Sequence, residues 1–97
     1  MQPTDINGAT LAHTMSAADL SDKILRQLAS ICGTEEVRMN PDLALYERDV
    51  MDSMKTVELI LAIEEEFGVH VSPAELERQT WATPRKIIAD IQHRLNS

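Results

Sequence analysis

Residues 49–68, DVMDSMKTVELILAIEEEFG, carry every local signal that a helix needs. Asp52 is a natural N-cap, because a carboxylate oxygen there accepts one of the backbone N–H groups that the first turn leaves without a partner. Val57, Ile60, Leu61 and Phe67 then recur at helical spacing and are expected to form the buried stripe. Gly68 supplies the left-handed residue on which helices commonly stop. The stretch therefore predicts a helix that opens at Asp52 and closes at Phe67.

Upstream of it, from Thr34 to Asp52, the periodicity is lost. Asn40-Pro41 marks a turn, and Val37, Leu43, Leu45 and Tyr46 are scattered apolar residues, so this segment reads as a long connection that packs down at a few points. Before it, Ser16 with Asp19 three residues on, followed by Leu20, Ile24, Leu28 and Ile31 and then Gly33, predicts a first helix. Residues 1–15 have no period and contain Pro3 and Gly8, and are expected to form a disordered extension. Downstream, Ser72-Pro73-Ala74-Glu75 combines a cap, a first-turn proline and a capping-box glutamate, predicting a short helix over Pro73 to about Arg78. Thr83-Pro84 repeats the signal, and Ile87, Ile88, Ile91 and Leu95 share one face of a last helix. The expected fold is all-α: a bundle of three longer helices and one short third helix, with a long first loop, over residues 16–97.

A chain of 97 residues buries roughly 60 to 65% of its unfolded surface and leaves little room for an enclosed active site. Its only aromatic residues are Tyr46, Phe67 and Trp81, so the core must be aliphatic, with Trp81 an anchor for the last helix whose indole N–H needs a partner. Cys32 is the single cysteine, which excludes an internal disulfide and fits a reducing cytoplasm. No apolar run reaches the roughly 20 residues of a membrane span, and the start lacks the pattern of a signal peptide. Net charge is −7, and Asp42 to Glu77 holds ten acidic residues against Arg48 and Lys55, a local balance of −8. Such a surface repels nucleic acid and anionic lipid and attracts basic patches on other proteins.

Independent catalysis finds no support. His13, His70 and His93 lie in a tail, a link and a last turn, the three glycines are isolated, and Cys32 reads as a small apolar residue closing a helix. Ser53 stands apart because it follows a long loop and opens a helix. A phosphodiester on its oxygen would sit beside unpaired N–H groups and the positive end of the helix dipole, each worth up to about 1 kcal/mol. The plain alternative is that Asp52-Ser53 is a helix start and nothing more.

Several motifs bear on that choice: Asp52-Ser53-Met54 with Thr56-Val57-Glu58-Leu59, Asn40-Pro41-Asp42 in the loop, Phe67 near the helix end, and Trp81-Ala82-Thr83-Pro84 followed by Ile87-Ile88. With them the chain, from about Ser16 to Leu95, resembles the acyl carrier protein superfamily, and within it the D-alanyl carrier family of teichoic acid D-alanylation. Lys55 departs from that family, where glycine is expected, and adds a positive charge beside the serine. The resemblance implies a four-helix carrier domain without catalytic activity, with 4'-phosphopantetheine joined covalently to Ser53 and an aminoacyl group held on it as a thioester. It implies three partners: a phosphopantetheinyl transferase, an ATP-dependent D-alanine ligase and a membrane-associated acyltransferase system. Asp52 would cap the helix and contact the transferase, and Met54, Lys55, Val57, Glu58, Glu64 and Glu65 would meet partners. For Val57 a place in the core is an equal alternative. The carrier is expected to be a cytoplasmic monomer. Two rival readings are a carrier for another amino acid or a fatty acyl chain, and a helical adaptor that binds a basic partner without a prosthetic group.

Overall fold

The computed structural model describes residues 16–96, so the expected extension over residues 1–15 lies outside them. Among the described residues there are four helices: α1 (Ala17–Cys32), α2 (Glu36–Met39), α3 (Ser53–Phe67) and α4 (Pro84–Leu95). No strand occurs among them. The helix α1 packs against each of the other three.

The longer helices start and stop where local chemistry places them. Ser16 accepts the Asp19 N–H at 3.1 Å, Asp52 accepts the Lys55 N–H at 2.8 Å, and Thr83 accepts the Lys86 N–H at 3.2 Å. Gly33 and Gly68 end α1 and α3 at φ 73° and 71°, a conformation that a Cβ would strain. The core is mostly aliphatic: Leu20, Ile24 and Leu28 from α1, Leu59, Ile60 and Ile63 from α3, and Ile87 and Ile91 from α4 are buried, with Phe67 at the end of α3. The indole of Trp81 is fully buried among them and donates to Asp90 Oδ2 at 2.8 Å, which meets the expectation for its N–H.

Three sequence expectations need correction. The short helix expected over Pro73–Arg78 is a pair of turns. Ser72 accepts from Glu75 and Leu76 through its carbonyl (both 3.1 Å), and the chain then turns again at Glu77–Trp81. Leu76 alone packs against the core there and is only partly buried, so little holds the segment helical, while buried Val71 and Trp81 fix it at either end. The short helix of this fold is α2, one turn inside the first loop, set by the burial of Val37 and by Thr34 Oγ1, which accepts the Glu36 N–H. Finally, Val57 and Leu61 do not join the core: they are 41% and 60% exposed, because the stripe runs through Leu59, Ile60, Ile63 and Phe67.

The first loop is held at points, as expected. Leu43 and Leu45 are buried, and the Leu45 N–H donates to the Ala82 carbonyl at 2.9 Å. Asn40 Oδ1 accepts the Asp42 N–H at 3.1 Å, which turns the chain at Pro41. This turn latches onto α4: the Arg85 N–H donates to the Pro41 carbonyl, and its guanidinium grips both Asp42 oxygens at 2.9 and 3.2 Å. The hydrogen bond from Arg85 holds the Asp42 carboxyl below its ordinary range. A carboxylate with a depressed folded pKa contributes stability above its unfolded pKa and loses it as pH falls through the folded one. Asp42→Asn should therefore lower the melting temperature at neutral pH, and the offset should shrink on acidification as the wild-type carboxylate takes up its proton below the ordinary carboxylate range. Thermal melts of the two proteins across pH 2 to 7 check this, and an offset that does not shrink on acidification would contradict it.

Candidate functional site

The site is built by the return of the first loop onto the start of α3. Leu45, already fixed to Ala82, accepts the N–H groups of Val50 and Met51 on its carbonyl at 2.9 and 3.1 Å, with Asp49 at φ 59° making the turn. Met51 is buried, so the next residues, Asp52 and Ser53, emerge at the surface. The Asp52 carbonyl accepts both the N–H and the hydroxyl of Thr56, at 2.9 and 2.7 Å. Since that proton of Thr56 is committed, the 2.6 Å contact between Tyr46 and Thr56 has the phenol as donor. Loop and helix are thereby joined one turn below Ser53.

Ser53 is the first residue of α3 and is exposed, and its hydroxyl has no hydrogen-bond partner among the described residues. With Asp52 serving Lys55, the N–H groups of Ser53 and Met54 at the helix start stay outside the helical ladder. Beside the serine lies a groove of about 290 Å³. Thr56, Val57 and Ser53 form its α3 side, Tyr46 comes from the loop, and Pro73, Leu76 and Arg78 come from the turns before α4. The Arg78 guanidinium lies over the Tyr46 ring, 4.8 Å from its centre.

Among the described residues no base is placed to make Ser53 a nucleophile. His70 lies 3.6 Å from Glu64, which is about 16 Å up the helix from Ser53 at 1.5 Å per residue. His93 is in the last turn of α4 and does not line the groove, and His13 lies outside the described residues. Cys32 is half-buried, and burial pushes its thiol above the ordinary range, the opposite of an activated thiolate. Among the described residues there is no cluster of metal ligands.

Most of the residues singled out in the sequence lie together on α3. Met54, Val57, Glu58, Glu64 and Glu65 are exposed and share one face at the helical period. Leu61, which the sequence reading placed in the core, belongs to this face, with Glu58, Glu64 and Glu65 around it. Lys55, next to Met54, is half-buried, its N–H donates to Asp52, and its charge acts on the Cys32 thiol. Tyr46 and Arg78 were not recognised as site residues: they stand 32 positions apart, and no local pattern joins them.

The two roles given to Asp52 are separable. Asp52→Ala should cost about 0.5 to 2 kcal/mol through loss of the cap. Asp52→Asn keeps an accepting oxygen and should melt close to wild type. If the Asp52→Asn variant is also modified at the wild-type rate, the carboxylate has no role beyond the cap.

An exposed serine hydroxyl, without a hydrogen-bond partner among the described residues, thus opens an acidic helix. The family model described as the phosphopantetheine attachment site matches residues 22–91. The chain belongs to this family of non-catalytic carrier proteins, whose prosthetic group is covalently attached 4'-phosphopantetheine. Among curated proteins it is similar to the D-alanyl carrier protein of Lacticaseibacillus casei (strain BL23), 38% identical over 78 residues that cover 80% of this chain and 96% of that protein. The D-alanyl carrier protein of Bacillus subtilis (strain 168) is 40% identical over 70 residues, 72% of this chain and 90% of that one. That of Enterococcus faecalis (strain ATCC 700802 / V583) is 35% identical over 74 residues, with coverage of 76% and 95%.

Proposed function

We propose that the protein carries an activated D-alanyl group on a 4'-phosphopantetheine arm attached to Ser53, and delivers it for D-alanylation of teichoic acid or a related cell-envelope polymer. The observation that carries this reading is the exposed Ser53 hydroxyl at the start of α3, unpartnered among the described residues and inside a segment matched by the attachment-site family. The surroundings suit the group. First-turn N–H groups and the helix dipole favour a phosphodiester at that oxygen, and the groove offers apolar walls to an arm. When bound, the arm supplies a terminal thiol on which an acyl group is held as a thioester. The protein supplies the rest: a fixed attachment point, and a surface by which enzymes recognise the carrier.

That surface is the outer face of α3. Met54, Val57 and Leu61 give it exposed apolar side chains, and Glu58, Glu64 and Glu65 give it negative charge. The partners of this reading are a phosphopantetheinyl transferase, an ATP-dependent D-alanine ligase and a membrane-associated acyltransferase system, with the carrier itself a cytoplasmic monomer. Among the described residues no helix is long and apolar enough to cross a membrane. Lys55, next to Met54 and three residues before Glu58, adds a positive charge beside the attachment point.

Steering by exposed carboxylates acts over a Debye length of about 8 Å at physiological salt. The loading rate should fall as ionic strength rises, mainly through the association step; stopped-flow kinetics in increasing salt measure it, and a flat profile would remove the charged face from the account. The cargo is tested by intact mass after incubating the arm-bearing protein with ATP and a D-alanine ligase of the pathway. A gain of one alanyl group from D-alanine and none from L-alanine supports the proposal. Loading only by a ligase for another amino acid or fatty acid would replace the cargo and keep the carrier.

A further inference from the structure

Arg26, Arg38, Arg48, Arg85 and Arg94 each have a carboxylate within ion-pair distance. Arg78 differs: among the described residues it has none, although the chain carries a net charge of −7 and acidic side chains are plentiful. Its guanidinium is instead laid over Tyr46, at the groove that begins at Ser53. The Tyr46 ring is in turn held by its hydrogen bond to Thr56, so the cation rests on a fixed platform. Val57, Pro73 and Leu76 complete the lining with apolar surface.

We infer that this groove is a resting berth for the near half of the prosthetic arm of this same chain, with Arg78 as the residue that holds it there. The inference rests on attachment at Ser53. Charge complementarity selects the occupant: a phosphodiester on Ser53 places an anion at one end of a groove whose only charged lining residue, among those described, is an arginine without a carboxylate. The arm's geminal methyl groups follow the phosphate and match Tyr46, Leu76 and Val57. A space of about 290 Å³ lies at the lower limit of pockets for small organic ligands, roughly 300 to 1,000 Å³, so it takes the near half and leaves the thiol end outside. The berth thus sets the side of the domain from which the thiol emerges, while enzymes still reach it. Arg78 is a positioning residue in this scheme and takes no part in any transfer.

The experiment uses the arm-bearing protein, with the arm labelled with 13C and 15N from labelled coenzyme A, as wild type and as Arg78→Gln. Addition of the arm is first verified by mass. Wild type should show nuclear Overhauser contacts from the geminal methyls to the Tyr46 ring and the Leu76 methyls, with the arm's first amide tumbling with the domain. In Arg78→Gln these contacts should be lost, the amide should become mobile on the picosecond-to-nanosecond scale, and the 31P resonance should shift, while core amide resonances stay in place. A gain of mass without such contacts in wild type overturns the berth and leaves the carrier reading intact. Contacts and 31P shift unchanged in Arg78→Gln overturn the role of Arg78. No gain of mass overturns the attachment, and the berth with it.

Discussion

Trp81→Ala is expected to lower the thermal midpoint by tens of degrees or to abolish the cooperative transition. The indole is fully buried and is the largest side chain of the core, and truncation of a buried aromatic costs about 3 to 5 kcal/mol from lost transfer energy and the cavity left behind. Domains of this kind have about 5 to 15 kcal/mol in total, and 1 kcal/mol shifts the midpoint by roughly 4 to 8 °C at this size. Trp81→Phe separates packing from hydrogen bonding. It keeps most of the apolar volume, and Asp90 retains Arg94 at 2.9 Å, so the carboxylate is not left without a partner. The Phe variant should lose clearly less than the Ala variant. Circular dichroism melts measure both, and a Phe variant as unstable as the Ala variant would show that the indole N–H matters more than its bulk.

The second large effect is on function without stability. Leu61 is 60% exposed, so Leu61→Asp should leave the melting temperature nearly unchanged. If the outer face of α3 is where enzymes dock, an apolar residue surrounded by Glu58, Glu64 and Glu65 has the position of an interface anchor. Loss of such an anchor costs about 2 kcal/mol or more, corresponding to at least a roughly 30-fold fall in kcat/KM for modification or loading. Val57→Asp should act in the same direction. Steady-state kinetics with the carrier as varied substrate provide the check, and wild-type kcat/KM in both variants would remove this face from the docking model.

What was legible in the sequence follows the range of the interactions. The caps at Ser16, Asp52 and Thr83 and the stops at Gly33 and Gly68 depend on neighbours three or four residues away, and they are where local patterning placed them. Whether Leu61 or Ile63 faces inward is a different kind of question. Both fit a helical period, and the choice is made by the position of the other helices. The segment after Ser72 shows the reverse failure, since its cap, proline and glutamate were genuine local signals, but too few apolar residues follow to hold a helix against the pull of Val71 and Trp81. The latch between Asp42 and Arg85 spans 43 residues, and no pattern in a single sequence connects its ends. Ser53 was legible as a candidate because its meaning lies in its position at a helix start, whereas Tyr46 and Arg78 gain theirs only when the groove is formed.

The most direct test of the carrier account is the intact mass of wild type and Ser53→Ala after incubation with coenzyme A and a broad-specificity phosphopantetheinyl transferase. The account predicts a gain of one phosphopantetheine on wild type and none on the Ser53→Ala protein, both folded with the same melting temperature. An unchanged mass for folded wild type with several transferases, or an equal gain on the Ser53→Ala protein, would contradict it.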